Sequence, residues 1–561
     1  MTVKSEHFIW SKRQTLQKML GIGAGLTAGA ELFGQTAPAP HRPRPHYPFP
    51  HAEAAPPHLS LAGGFHAAAV SGLYDVRTFG ATGDGKTLDT PAINKAIEVA
   101  AAAGGGAVCF PAGTYLCYSI RLKSNITLYL DHGATILAAD PPAEGASGGY
   151  DPPEPGPEPQ YQDFGHSHWH NSLIWGVGLE NFSILGPGLI WGKGLRRSVG
   201  RNPHPAGIGD KAIALKNCHN VTLRDFSILQ GGHFGILATG VDNFTMDNLV
   251  IDTNRDAMDI DCCHNVRVSN CTVNSPWDDG ICPKSSYALG YARATKNLTI
   301  TNCFVTGGYE LGTVLDGTFK RWPAGRRIPH TGRIKCGTES NGGFQNITVS
   351  NCVFDHCQGL ALETVDGALL EDISVSNITM RDIVNMPIFL RLGSRMRAPA
   401  ATPVGKLRRV NISNIVASNT AGRYASIISG IPGYEIEDVK LSNIYIQSQG
   451  GGTSQDATIE VPEKEKAYPE PTMFGTIPCY GFFIRHVRGI ELSHVEVHYM
   501  KNDARPAFIL DDVEGADFLR IKAQHAAGVP VFALNKVEDF GIDLSRPLPN
   551  TYLDRVEQKK I

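Results

Sequence analysis

The chain has 561 residues, 42% hydrophobic and 19% charged, with 61 Gly and 36 Pro, a profile that excludes a disordered or membrane-embedded protein. Its 51 basic and 54 acidic side chains leave a formal charge of −3, which argues against a nucleic-acid or membrane-surface protein held by bulk charge. No break in composition marks the three or four domains that this length implies, and a repeat architecture is the usual way round that arithmetic.

Residues 1–34 read as an export signal. Lys12 and Arg13 precede the weakly apolar run LGIGAGLTAGAELFG, which is interrupted by Gly and too short to remain as a membrane span. The segment resembles a twin-arginine signal with Lys in the first basic position, which implies a periplasmic or extracellular protein. Residues 35–72 follow as a Pro- and His-rich linker whose repeated Pro prevents a packed fold; His41, His46, His51 and His58 are read as solvated. Residues 73–561 are read as one domain.

The domain opens with a capping element. Thr90 is the expected N-cap of a helix with Pro91 at its first position, Ile93, Ile97 and Val99 on its apolar side, and Gly104 at its end. The combination FGATGDGKTLDT followed by GGGAVCFPAGTY, ending near Tyr115, resembles the amino-terminal cap of the pectate-lyase-like β-helix superfamily.

One pattern then recurs: Asn or Asp, aliphatic, polar, aliphatic, Ser, Thr or Asp, Asn. It appears at Asn220, Asn243, Asn265, Asn297, Asn346 and Asp372, with later copies in LRRVNISNI, IEDVKLSNI and VRGIELSHV. The first spacings are 23 and 22 residues, and later ones reach 49 and 51. Each unit alternates apolar and polar residues, as a strand does. A coil of this length cannot bury its apolar face alone, so the expected fold is all-β, a parallel β-helix with Asn at tight corners, and right-handed as the superfamily resemblance implies. The long spacings mark loops that build cleft walls. The last 60 residues keep the strand rhythm without the Asn pattern and are expected to close the far end. Cys271, Cys303 and Cys352 each follow Asn and are read as a buried ladder of thiols rather than disulfides. No CxxC spacing is present, and no metal or cofactor is expected.

The densest chemistry lies in DTNRDAMDIDCCHNVRVSNCTVNSPWDDG. Asp256 precedes Asp278 and Asp279 by 22 and 23 residues, one coil, so the three carboxyls are expected in one patch on adjacent rungs. Their repulsion raises one proton affinity, which is what a general acid requires. A polar turn stack or a calcium site is the other reading of such a cluster. The segment resembles glycoside hydrolase family 28, the polygalacturonase-like inverting hydrolases of pectin. That family carries Asn-Thr-Asp, matched here by Asn254-Arg255-Asp256, and one coil later an Asp-Asp pair, matched by Asp278-Asp279. The resemblance implies Asp278 as general acid and Asp256 and Asp279 as general base. It also implies an acid–base separation of about 6.5–9.5 Å, which adjacent coils are expected to supply. Asp259 and Asp261 are read as supporting residues.

The family also carries Gly-His-Gly and then Arg-Ile-Lys, whose cations bind a uronate carboxylate. Arg333-Ile334-Lys335 is present, but at the coil where Gly-His-Gly belongs; one coil later stands Ala361-Leu362-Glu363. Glu363 in that register is expected to repel a uronate unless Arg333 and Lys335 reach the same subsite, which points to rhamnose, galactose or another neutral pectic sugar. His330, in the long insertion with Tyr309, Trp322, Arg326 and Arg327, is a candidate replacement for the motif histidine. His233, one coil before Asp256, is a candidate cleft-wall contact. His166, His168 and His170 alternate as on a strand, placing three imidazoles on one face as a cleft-edge sugar contact or, alternatively, a zinc site. The expected activity is hydrolysis of a plant cell-wall polysaccharide or oligosaccharide. A polysaccharide lyase on the same fold and a non-catalytic carbohydrate-binding β-helix are the alternatives.

Overall fold

The computed structural model describes residues 72–143, 147–154, 160–162, 164–197 and 206–561. The export signal and almost all of the linker, residues 1–71, lie outside them. The described chain forms a parallel β-helix: a 29-stranded sheet wraps two faces and continues onto the third, where a 6-stranded sheet covers the first coils. One early coil consists of strands Phe234–Thr239, Asp242–Asp247 and Val250–Asp252, and the next opens at Asp256, 22 residues on.

The repeat maps onto this geometry rung by rung. Val221, Phe244, Val266, Leu298, Ile347, Ile373, Val410, Val439 and Ile490 are successive register partners and all are buried. The Asn before each of the first five takes a left-handed turn, with φ between 49° and 57°. Asn pays a smaller steric penalty there than most residues. Its side chain also ties the coils together: Asn243 Nδ2 donates to Asn220 Oδ1 at 2.8 Å, and Asn346 to Asn297 at 2.8 Å. All twelve cysteines are free, and Cys271, Cys303 and Cys352 stack as buried thiols.

The capping helix spans Thr90–Ala102 and buries Ile93, Ala96, Ile97 and Ala100 over the open end of the core. Two details differ from expectation. Asp89, not Thr90, is the N-cap residue; its carboxylate accepts from the Thr82 and Gly83 N–H groups at 2.7 and 3.0 Å, while Thr90 Oγ1 accepts from Tyr118 N at 2.8 Å. Val99 is 41% exposed, because it lies off the 93–97–100 stripe set by the helical period. At the other end, Thr551–Lys560 pairs antiparallel with Phe532–Asp543 and packs Leu553 and Val556 on the last rung. This reversal covers an edge that would otherwise offer unpaired backbone groups.

Candidate active site

The third face of the solenoid carries the chemistry. Strands Phe234–Thr239, Asp256–Asp261 and Ile281–Lys284 stack there in parallel. A bridge from Ile281 to Ile334 continues the face into Lys335–Cys336, Leu360–Thr364 and Ile388–Leu392. Ala257 N donates to Asp279 O at 3.1 Å, so Asp256 and Asp279 occupy consecutive rungs. Asp256, Asp278 and Asp279 each offer an oxygen within 4.8 Å of the others, at the head of a cavity of about 230 Å³. The expected 6.5–9.5 Å separation is therefore not what adjacent coils supply. Side chains that project in parallel from neighbouring rungs inherit the rung spacing itself, about 4.7–4.9 Å.

The two buried carboxyls differ in what surrounds them. Burial alone would raise Asp279, but Lys335 and Arg333 outweigh it and hold the carboxyl well below the usual range. Lys335 Nζ lies 3.0 Å from Asp279 Oδ2, and Arg333 Nε donates to Oδ1 at 2.8 Å. Asp256 is pushed well above its range by burial and then by the charge of Asp278, with Lys284 offsetting only part. Lys284 Nζ is 3.5 Å from Asp256, 3.2 Å from Asp259, 3.6 Å from Glu339 and 2.9 Å from His166 Nε2, so one ammonium serves three carboxyls. Asp278 is the most open of the three acids, its side chain 28% exposed. Its Oδ2 accepts from Arg255 Nε and Nη2 at 3.1 and 2.5 Å.

Other residues singled out in the sequence fall at varied depths. Lys335 lines the cavity, whereas Arg333 is buried between Asp279 and Glu470, its Nη2 2.9 Å from Glu470 Oε2. The register pairs Lys335 with Ala361 and Cys336 with Leu362, which leaves Glu363 beside Gly337. Glu363 has no exposed surface, so it does not meet a ligand directly, and neither oxygen has a hydrogen-bond partner among the described residues. Burial, opposed by Lys335 and Arg333, pushes its carboxyl up to about 7. His233 is buried behind Arg255, its Nδ1 3.0 Å from Arg255 Nη1, and so reaches Asp278 through that guanidinium. His330 does not line the cavity: its Nδ1 is 2.9 Å from Gly307 O and its ring packs edge-on against His356.

The His166 segment is not a strand. Phe164–Ser167 is a 3₁₀ turn that contains only His166 of the three, so no strand alternation sets the imidazoles on one face. His166 enters the Lys284–Asp259 cluster, His168 stacks on Phe164 at 3.9 Å, and His170 packs on Trp175 at 4.0 Å. Asp259 is buried against Lys284 and His166, and Asp261 accepts from Ser286 N and Oγ at 2.7 and 2.6 Å. The insertion around Trp322 is pinned to neighbouring coils: Tyr309 and Arg321 hold Asp355, and Trp322 meets Trp277 at 5.3 Å.

Sequence reasoning missed Lys284, Glu339, Arg397, Tyr468 and Glu470. A lysine inside the otherwise buried strand Ile281–Lys284 was a legible signal, because lysines are seldom buried without a partner. Tyr468 and Glu470 had only the 51-residue spacing to announce that an insertion exists.

Comparison with known proteins agrees with this architecture. Residues 73–161 match the family model described as rhamnogalacturonase A/epimerase, pectate lyase-like, and residues 211–395 match the right-handed β-helix region. A probable polygalacturonase of Vitis vinifera is 24% identical over 432 residues, covering 72% of this chain and 80% of that protein. The family 28 exopolygalacturonase of Yersinia enterocolitica superposes with a TM-score of 0.56 at 19% identity, over 80% of this chain and 78% of that one. A hyperthermoactive exopolygalacturonase of Thermotoga maritima superposes with a TM-score of 0.50 at 15% identity, over 88% and 95%. The chain is thus a right-handed parallel β-helix, similar over residues 73–161 to the pectate-lyase-like family model and, at 24% identity, to a probable polygalacturonase.

Proposed function

We propose that the protein is an exported glycoside hydrolase that cleaves a pectic polysaccharide at a neutral-sugar linkage. One observation carries the reading: two buried carboxyls on consecutive rungs whose surroundings push their proton affinities in opposite directions. Such a pair supplies a proton donor and a proton acceptor in one site. Asp256 holds the proton and yields it to Asp278, the open member, which passes it to the glycosidic oxygen as the bond to the anomeric carbon breaks, leaving Asp256 ionised until it is reprotonated from solvent. Asp279, kept ionised, takes the proton of the attacking water. With the carboxyls this close, an inverting water sits against Asp279 on the side away from Asp256, rather than between them. Proton NMR of the first-formed anomer tests this course; retention would overturn inversion.

The charges lining the cavity favour a neutral ring. Arg255 is engaged by Asp278, Lys335 by Asp279, Lys284 by Asp256, Asp259 and Glu339, and Arg397 by Glu339 at 3.5 Å. Among the described residues, each lysine and arginine lining the cavity already faces at least one carboxylate of the chain. The neutral preference thus rests on cations already occupied, not on repulsion by Glu363.

Product analysis on homogalacturonan, rhamnogalacturonan and galactan tests the substrate. Cleavage of rhamnogalacturonan or galactan is expected, with Asp278→Asn and Asp279→Asn each reducing turnover by about 10²–10⁴-fold. Efficient cleavage of unbranched homogalacturonan would overturn the neutral-sugar reading. Unsaturated products absorbing in the ultraviolet would replace hydrolysis with elimination.

A further inference from the structure

The segment 451–481 lies between the strands Ile436–Gly450 and Phe482–Lys501, yet part of it reaches the cavity several coils earlier in the solenoid. Three buried arginines hold its backbone. Arg505 Nη1 donates to Ile477 O at 2.9 Å, Arg485 to the carbonyls of Val461 and Pro462 at 2.8 and 3.1 Å, and Arg391 Nη2 to Glu463 O at 2.9 Å. At its start, Gly452 N donates to Asp503 Oδ2 at 3.0 Å. Ordering a connection this long costs conformational entropy, and long ordered connections in compact domains usually serve a ligand.

Two side chains from this segment reach the site. Tyr468 lines the cavity with 52% of its surface exposed. Its hydroxyl accepts from Thr338 Oγ1 at 2.8 Å, and Lys335 Nζ lies 5.6 Å from its ring centroid, so the ring is held in place while half of it stays open. The exposed part of the ring, beside Lys335 and Arg395, offers an apolar surface that can stack against the C–H side of a pyranose. Glu470 takes the guanidinium of Arg333, the cation nearest to Asp279 besides Lys335.

We propose that segment 451–481 is the sugar-selecting element of the site. Tyr468 is the stacking wall for the ring bound in the cavity, and Glu470 offsets the charge of the buried Arg333, which would otherwise attract a ligand carboxylate from behind Asp279. The inference rests on the neutral-sugar reading above and assigns it to two residues outside the carboxyl cluster.

Binding of L-rhamnose, D-galactose and D-galacturonate to the full chain, measured by calorimetry without turnover, tests both assignments. The wild-type protein is expected to bind one of the neutral sugars in preference to galacturonate. Tyr468→Ala should weaken that binding about tenfold, equivalent to ~1.4 kcal/mol of lost stacking, whereas Tyr468→Phe keeps the ring and should lose about threefold or less. In hydrolysis assays the Tyr468→Ala loss should fall on KM more than on kcat. Glu470→Gln should improve galacturonate relative to the neutral sugar by about fivefold or more, as expected when a nearby positive charge is no longer offset. Thermal melts establish that each variant is folded. The inference is overturned if Tyr468→Ala binds as the wild type does, if Glu470→Gln changes all three sugars equally, or if the wild type binds none of them. Absence of hydrolysis on the three polymers with sugar binding intact would instead overturn the proposed reaction and leave the selecting role standing.

Discussion

Asp256 and Asp279 occupy neighbouring rungs of one sheet face, are equally buried, and end with opposite proton affinities. Burial therefore does not separate them. What separates them is how many carboxyls compete for each cation: Asp279 has contacts from both Lys335 and Arg333, whereas Asp256 shares Lys284 with Asp259 and Glu339 and also faces Asp278. An opposite charge within about 4–6 Å favours ionisation, and a like charge opposes it. A solenoid repeats its backbone at every coil, so an acid and a base can be built from the same residue type on adjacent rungs by changing only the side chains beside them.

Short of replacing the carboxyls themselves, the largest expected effect comes from removing a cation of Asp279. In Lys335→Met the carboxyl keeps Arg333, which Glu470 also holds, while burial continues to favour the protonated form. Turnover should fall by about 10²–10³-fold at neutral pH, within the usual range for losing a general base. With Asp279 as the proposed base, raising its proton affinity creates an acidic limb in kcat/KM that the wild type lacks in the same pH range. Lys335→Arg should restore much of the rate. A Lys335→Met profile of wild-type shape would mean that Asp279 is not the base.

The part of this comparison legible in the sequence is the part generated by the repeat. The 22- and 23-residue offsets from Asp256 to Asp278 and Asp279 equal one coil, and each Asn from Asn220 to Asn346 precedes a residue of one buried ladder. The separation of the carboxyls was misread because sequence offsets count coils, whereas the distance depends on both side chains projecting from adjacent rungs. Lys284 was readable as a charge in a buried strand, but not as the centre of three acids, because Glu339 and His166 arrive from other segments. The destination of segment 451–481 had no local signal at all. It is set by Arg391, Arg485 and Arg505 gripping backbone carbonyls, a contact available to any residue type.

The Asp256 side of the comparison yields to Lys284→Met. This change removes the principal charge that lowers the proton affinity of Asp256 and leaves Asp278 and burial to raise it further. The proton is then held more tightly, so the alkaline limb of kcat/KM should move upward by about one pH unit, the low end of what a neighbouring charge commonly does. The rate at neutral pH should fall about tenfold as proton delivery becomes harder. The same substitution should leave Asp279 ionised, so no new acidic limb appears. An unmoved alkaline limb would show that Asp256 does not carry the proton.

Glu363 offers the finest test, because it lies out of ligand reach behind the cations that serve Asp279. Its carboxyl is raised from an ordinary 4.5 to about 7 by burial, with Lys335 and Arg333 opposing. The folded state therefore binds more protons than the unfolded state between those values. The stability contributed by the protonated form is fully present below about 4.5 and is lost as pH rises through about 7, a difference of roughly 3 kcal/mol. Glu363→Gln keeps the shape without the titration. Urea midpoints should match the wild type near pH 4, and the variant should be the more stable protein near pH 8. Turnover should change by about twofold or less, in the direction of faster hydrolysis at alkaline pH, where an ionised Glu363 in the wild type competes with Asp279 for Lys335. A large loss of activity at every pH would place Glu363 among the groups that act on the substrate, and the contrast between the two buried aspartates would then need a third carboxyl to explain it.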